Sequence, residues 1–266
     1  MALAAIDTLN LMIRNKNVLH ATTLIELKKR YSGSFLGMTW AFLFPLLFLS
    51  VYLFLYLIVF KATYPNLNTI ESIIYIFSGL VPYITFMEAV NTSTSSIKQN
   101  MHLIKNVILP VELIPIRIVS MAMVAQFVGL FMIFILSLVN HTFSAHLFLL
   151  PIALIIETFF LLGLVLMLAP LGVMLPDSSY FINILTLLLM FLSPIGFMAV
   201  MLPTKFQFVI DFNPIYYLIE PFRIAFLPGN VVNIKVLSIG LVGSLCFYLL
   251  GSAFFKKFKN YLADYE

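Results

Sequence analysis

The sequence predicts an all-α integral membrane protein: six transmembrane helices, an amphipathic helix on the membrane surface at the N-terminus, a cytoplasmic loop helix, and a re-entrant hairpin between spans five and six. Three observations carry that reading. Hydrophobic residues make up 62% of the 266 and charged residues only 10%, whereas soluble domains run near a quarter charged. Six apolar runs are long enough for a hydrocarbon layer that takes about 20 helical residues to cross. Lys and Arg are shared unevenly between alternate loops, the mark of a multi-pass protein with a cytoplasmic side.

The first twenty residues, MALAAIDTLNLMIRNKNVLH, are too polar to span, yet Leu3, Ile6, Leu9 and Ile13 recur at near-helical spacing. That pattern suits a helix lying on the membrane with Asp7, Asn10 and Arg14 turned to water. Asp7, Arg14, Lys16, Glu26 and the triplet Lys28, Lys29 and Arg30 leave no unbroken apolar core for a cleavable signal peptide. Residues 1–34 therefore read as a cytoplasmic N-terminal segment. A transmembrane domain over 35–255 follows, with spans at 35–60, 70–90, 113–139, 147–175, 181–202 and 236–255, and 256–266 form a polar tail. The basic triplet meets anionic headgroups, and Trp40 lies inside the start of span one. Gly33 and Gly37 frame a GxxxG there, a spacing that permits close helix packing.

Eleven of the fifteen Lys and Arg residues fall on the side of the two termini, and only Lys61, Lys205, Arg223 and Lys235 on the other. Both termini are accordingly expected in the cytoplasm. In the cytoplasmic loop 91–112, the cluster NTSTSS is placed to cap a short helix carrying Ile97, Met101 and Ile104, with Ile108 as a further candidate, on one face. Such a stripe docks either on the chain's own helix ends or on a partner. On the outer side, residues 203–235 hold the apolar pieces FQFVI and IYYLIEPFRIAFL, broken by Pro203, Pro214, Pro221 and Pro228. Neither piece crosses a bilayer as an unbroken helix. A hairpin that dips in and returns is favoured over two helices resting on the surface, provided protein or water surrounds its irregular backbone. Glu220 and Arg223 are three apart and able to pair on one helix face. Tyr216 and Tyr217 combine an apolar ring with a hydroxyl, suited to sugar rings or to interface anchoring.

No GxxxxGK[ST] occurs, so the chain is not expected to hydrolyse ATP by itself. His20, His102, His141 and His146 show no i, i+4 pair, and no metal site is expected. Cys246 stands alone in the last span and reads as a packing residue. Glu157 in span four and Gln126 in span three are the polar groups deepest in the membrane, where a carboxyl either ties helices together or serves transport. An integral-membrane glycosyl or acyl transferase is the reading from another class. It needs its acids, bases or metal ligands at one depth, whereas Glu157, Glu88, Asp177 and the histidines lie at different depths.

The stretch LKKRYSGSFLGMTWAFLFPLL at 27–47 resembles the start of the membrane subunits of polysaccharide-exporting ABC transporters, through Arg30, Tyr31, Ser34, Leu36, Gly37, Trp40 and Pro45. GLVPY at 79–83, NxxLIKxxxLPVELIP over 100–115, SPI at 193–195 and NPIYYLIEPFR at 213–223 continue the resemblance in order. It departs at Pro176, which precedes Asp177 where the family commonly has Arg. The resemblance implies a homodimer in the bacterial inner membrane, joined to two separately encoded ATPase subunits that hold ATP and Mg, with no cofactor in this chain. The cargo it implies is an undecaprenyl-pyrophosphate-linked polysaccharide, foremost lipopolysaccharide O-antigen, with capsule or teichoic acid precursors as sister alternatives. A helix at about 95–107 becomes the coupling helix, with Ile97, Lys98, Met101, Ile104 and Lys105 meeting the ATPase, and the N-terminal helix becomes an interface helix beside it. Spans one and five line a channel at the dimer interface, Trp40 belongs to that path, and Tyr216, Tyr217, Glu220 and Arg223 gate its outer mouth.

Overall fold

The computed structural model describes all of the chain except residues 63, 66, 102–109, 143–144, 228–231 and 264–266. Helix makes up 85% of it, and no strand occurs among the described residues. Two N-terminal helices, α1 (Ala2–Arg14) and α2 (Lys16–Tyr31), lead into α3 (Trp40–Leu53), which runs on through a π-helical turn at Phe54–Val59. Then come α4 (Thr69–Gln99), α5 (Leu113–Val139), α6 (Leu150–Met174), α7 (Ser178–Leu192), the short α8 (Gln207–Asp211), α9 (Pro214–Phe226) and α10 (Ile234–Ala263).

Among the described residues, five stretches are long and apolar enough to cross a membrane: Gly37–Val59, Thr69–Gln99, Leu113–Val139, His146–Met174 and Ile234–Lys259. The sixth span expected over 181–202 is not a continuous helix. α7 stops at Leu192 after 15 residues, about 22 Å of rise against roughly 30 Å of hydrocarbon. Pro194 is the reason. A proline disfavours the helical region for the residue before it, and Ser193 duly turns to φ −86°, ψ 145°.

The core is built around α4. Asn68 caps its start, accepting from the Glu71 amide at 2.8 Å while its own amide donates to the Glu71 carboxylate at 2.8 Å. In the apolar window of α4, 83% of residues are buried, against 17% in the first span. α5 and α6 flank α4, and α10 crosses α6 so closely that a Cβ on Gly163 would come within 2.4 Å of the Phe247 backbone. Backbone contact through small residues is how membrane helices gain van der Waals energy where water supplies no driving force. By contrast, α3 and α7 leave rows of large apolar side chains exposed, among them Phe42, Val51, Phe181 and Leu188. Faces of that size need lipid or protein cover.

Three local expectations change. Ser95–Gln99 belong to α4 rather than to a separate loop helix, because the Ser and Thr hydroxyls turn back onto their own helix. Ser93 donates to the Val90 carbonyl at 2.7 Å and Ser96 to the Ser93 carbonyl at 2.6 Å. Gly33 and Gly37 do not pack helices. They turn the chain between α2 and α3 at φ +82° and +50°, with open space where a Cβ would go. Finally, α1 does not rest on the membrane alone. Ala4, Ala5 and Thr8 are buried against α10, and the Tyr248 hydroxyl donates to the Ala5 carbonyl at 2.9 Å, while Leu3, Ile6 and Ile13 face outward.

Candidate functional site

The break after α7 leaves Ser193–Phe197 as irregular chain against the bundle, and Ser193 to Gly196 are buried. Backbone polar groups at membrane depth have to be satisfied by protein, and here side chains from three elements do it. Arg223 of α9 donates through Nη2 to the carbonyls of Pro194 and of Ile195, the latter at 3.0 Å. Tyr64, in the loop before α4, donates to the Gly196 carbonyl at 2.6 Å, and Tyr75 of α4 to the Phe197 carbonyl at 3.1 Å. Burial, with Tyr75 and Tyr56 close by, pushes the Tyr64 phenol above its ordinary range, so it stays protonated and remains a donor.

Arg223 is the hub. Its side chain is 1% exposed, its Nη1 meets a Glu220 oxygen at 3.3 Å, and its guanidinium carbon stands 3.9 Å from the centroid of the Tyr75 ring. A planar cation that donates sideways and stacks on an aromatic face is a role lysine does not fill. Asn213 completes the frame: it caps α9 by accepting from the Ile215 amide at 2.9 Å and donates to Ser193 Oγ at 3.0 Å. Gly196 is pressed against Tyr56 of the π-turn, whose ring would lie 2.1 Å from an added Cβ. The π-turn thereby fits the end of the first span to the bent segment, consistent with the habit of π-turns to fall at functional positions.

The residues singled out from sequence divide between two ends of the bundle. Tyr216, Glu220 and Arg223 share one face of α9, as spacings of four and three residues require. Tyr217 is turned from that face: its hydroxyl donates to the Asp211 carbonyl at 2.9 Å, and it lines a small cavity of about 230 Å³ with Gly240 and Phe247 of α10. Trp40 stands at the other end, beside Arg30, Tyr31 and Glu88. So do Ile97, Lys98 and Met101 of the expected ATPase-contacting set. Ile97 is wholly buried in the chain's own core, Lys98 is exposed, and Met101 packs partly against the core. Ile104 and Lys105 lie outside the described residues. At that end helices are tied by ion pairs: Arg30 to Glu88, Arg117 to Glu26 at 3.6 Å, Lys256 to Asp7 at 2.8 Å and Lys259 to Glu112 at 2.6 Å. Between the ends, Gln126 of α5 donates to Glu157 of α6, which is fully buried, so this pair joins the third and fourth spans.

Residues 18–227 match the family described as ABC-2 type transporter. The chain belongs to the ABC-2 type transporter membrane family. The matched region runs from α2 to the end of α9 and so contains the whole Arg223 junction. Among similar proteins, an O-antigen export system permease protein RfbA of Klebsiella pneumoniae is 27% identical over 241 residues, 90% of this chain and 91% of its own length. A protein of the same name from Myxococcus xanthus is 30% identical over 171 residues, 64% of each chain. The polysialic acid transport protein KpsM of Escherichia coli is 26% identical over 220 residues, 81% of this chain and 83% of its own.

Within this ABC-2 type chain, sequence reading found Arg223 and Glu220 through their spacing, and the SPI motif through resemblance, but joined neither to Tyr64 or Tyr75. Those tyrosines sit 119 or more residues from Pro194 in sequence, and only a buried carbonyl row seeking donors could have pointed to them. Arg117 falls near the start of the expected third span, with no local sign of a partner. It is buried at the start of α5.

Proposed function

We propose that this chain is the permease subunit of an ABC-2 type exporter carrying a lipid-linked polysaccharide, foremost O-antigen, across the bacterial inner membrane. The observation that carries the reading is similarity over nine-tenths of the chain to permeases named for O-antigen export. KpsM extends the cargo class to a capsule-type polymer and is the second reading. Two copies and two separately encoded ATPase subunits make the working assembly, with ATP and Mg held by those subunits. The exposed apolar faces of α3 and α7 are the surfaces offered to the second copy and the channel. Both termini, with the loop after α4, face the cytoplasm and the ATPases. The segment from α8 through α9 dips in from the opposite side as the outer mouth of the path, where Tyr216 and Glu220 meet the emerging glycan and Arg223 holds the mouth in shape.

The test is genetic and biochemical together. Deleting the gene in its host should abolish the surface polysaccharide while lipid-linked glycan accumulates inside, and the gene on a plasmid should restore export. Co-expression with the neighbouring ATPase should give a four-subunit complex whose hydrolysis the permease alone lacks. Normal surface glycan in the deletion strain would overturn the reading.

A further inference from the structure

Two cavities lie end to end at the bundle end that carries both termini, and they share Arg30 and Glu88 as the wall between them. The outer one, about 420 Å³, is lined mostly by residues with polar or charged ends, among them Lys29, Thr92, Ser96, Asn100 and Arg117. The inner one, about 220 Å³, is lined by Trp40, Phe44, Pro45, Ile84 and Ala125. Both follow the groove between α4 and α5. On α4, Ile84, Glu88, Thr92 and Ser96 repeat every fourth residue, and on α5 Ile118, Met121 and Ala125 keep to one face, so the groove changes from apolar to polar over about 18 Å.

Its charge balance is specific. Arg30 is matched by Glu88 and Arg117 by Glu26, which leaves Lys29 as the lining cation without a carboxylate partner among the described residues. Arg117 lines the groove with its charge already engaged: its residue is 5% exposed, Nη2 donates to Asn100 Oδ1 at 2.9 Å and faces Glu26, and Nε is closed off from the groove. An occupant bringing one negative charge and an apolar tail matches both the unpaired lysine and the apolar half of the groove.

We propose that this groove binds one monoanionic phospholipid of the adjoining leaflet, its phosphodiester among Lys29, Arg30 and Arg117 and an acyl chain along Trp40 and Phe44. A lipid diphosphate carries more negative charge than Lys29 balances, so the membrane's own phospholipid is the occupant favoured. The site stands apart from the Arg223 junction and does not depend on which glycan is exported. Bound there, the lipid bridges α2, α4 and α5 and fastens the N-terminal helices to the transmembrane bundle.

The full-length chain, reconstituted in nanodiscs holding equal amounts of phosphatidylglycerol and phosphatidylethanolamine, is released into native mass spectrometry and its retained lipid identified. Phosphatidylglycerol should be retained in preference. Lys29→Gln, on an exposed residue, should lower that retention about fivefold, and Ala125→Phe should lower it by filling the apolar half. Circular dichroism and melting of each variant control for folding, and Lys29→Gln decides alone if Ala125→Phe unfolds. Equal retention of the two phospholipids, or no change in Lys29→Gln, overturns the proposal. So does preferential retention of added undecaprenyl diphosphate over phosphatidylglycerol, which makes the groove a site for the glycan carrier instead.

Discussion

The two ends of the bundle are held by opposite means. At the end carrying the termini, four ion pairs link α1 to α10, α10 to the residue that precedes α5, α2 to α5 and α2 to α4, and most of their charged groups keep contact with solvent. At the other end one buried guanidinium and two phenols hold a bent segment by its carbonyls. Exposed pairs are each worth little because water competes for both partners. A buried cation among carbonyls has no such competitor, and removing it leaves several acceptors unmet together. The first arrangement tolerates motion and loss piece by piece. The second is a single fastening.

Breaking that fastening is the strongest test of the contrast. Arg223→Ala should cost about 3–5 kcal/mol in thermal unfolding of the purified chain and remove surface glycan. Arg223→Lys should restore little, since an ammonium offers neither the fork nor the stacked plane. Wild-type melting of Arg223→Ala would show that the carbonyl row is satisfied by water and that the two ends differ less than the geometry indicates.

Gly196→Ala asks whether the π-turn is part of the same fastening. With Tyr56 2.1 Å from the new methyl, a loss of about 1–3 kcal/mol is expected, and Tyr56→Ala added to it should recover part of the melting temperature, because the pair is in direct contact. Additive losses would separate the first span from the junction.

Tyr64→Phe and Tyr75→Phe should each lose about 1–2 kcal/mol by leaving a carbonyl unmet, read by chemical denaturation in detergent. The other end supplies the smallest effects. Lys259→Gln should cost at most about 1 kcal/mol and Lys256→Gln, whose partners are both 61% exposed, still less. Melting in low and in high salt checks this, since screening should erase the difference between variant and wild type. A loss from Lys256→Gln as large as that from Tyr64→Phe would erase the contrast.

Composition and apolar run length were enough for the membrane class and for five of the spans, because a bilayer demands unbroken apolar helix whatever the neighbours are. Of the prolines expected to break the outer segment, Pro214 instead opens α9, where its missing N–H costs nothing, and Pro221 sits within that helix, while the spacing of Glu220 and Arg223 announced their pair. What sequence could not tell was how far a run would hold as helix and where each polar group would find its partner. The 181–202 run satisfied the length rule, yet Pro194 ended it early, and only the packed bundle supplied donors for the chain left bare. NTSTSS carried a capping signal, yet α4, capped at Asn68, runs straight through it. Arg117, Tyr64 and Tyr75 gave no local sign of their roles, because a side chain's hydrogen-bond partner is fixed by elements far away in sequence and close only in the fold. Apolar burial against lipid is written residue by residue along the chain. Satisfaction of buried polar groups is a property of the assembled bundle, decided when α4, α9 and the segment after α7 come together.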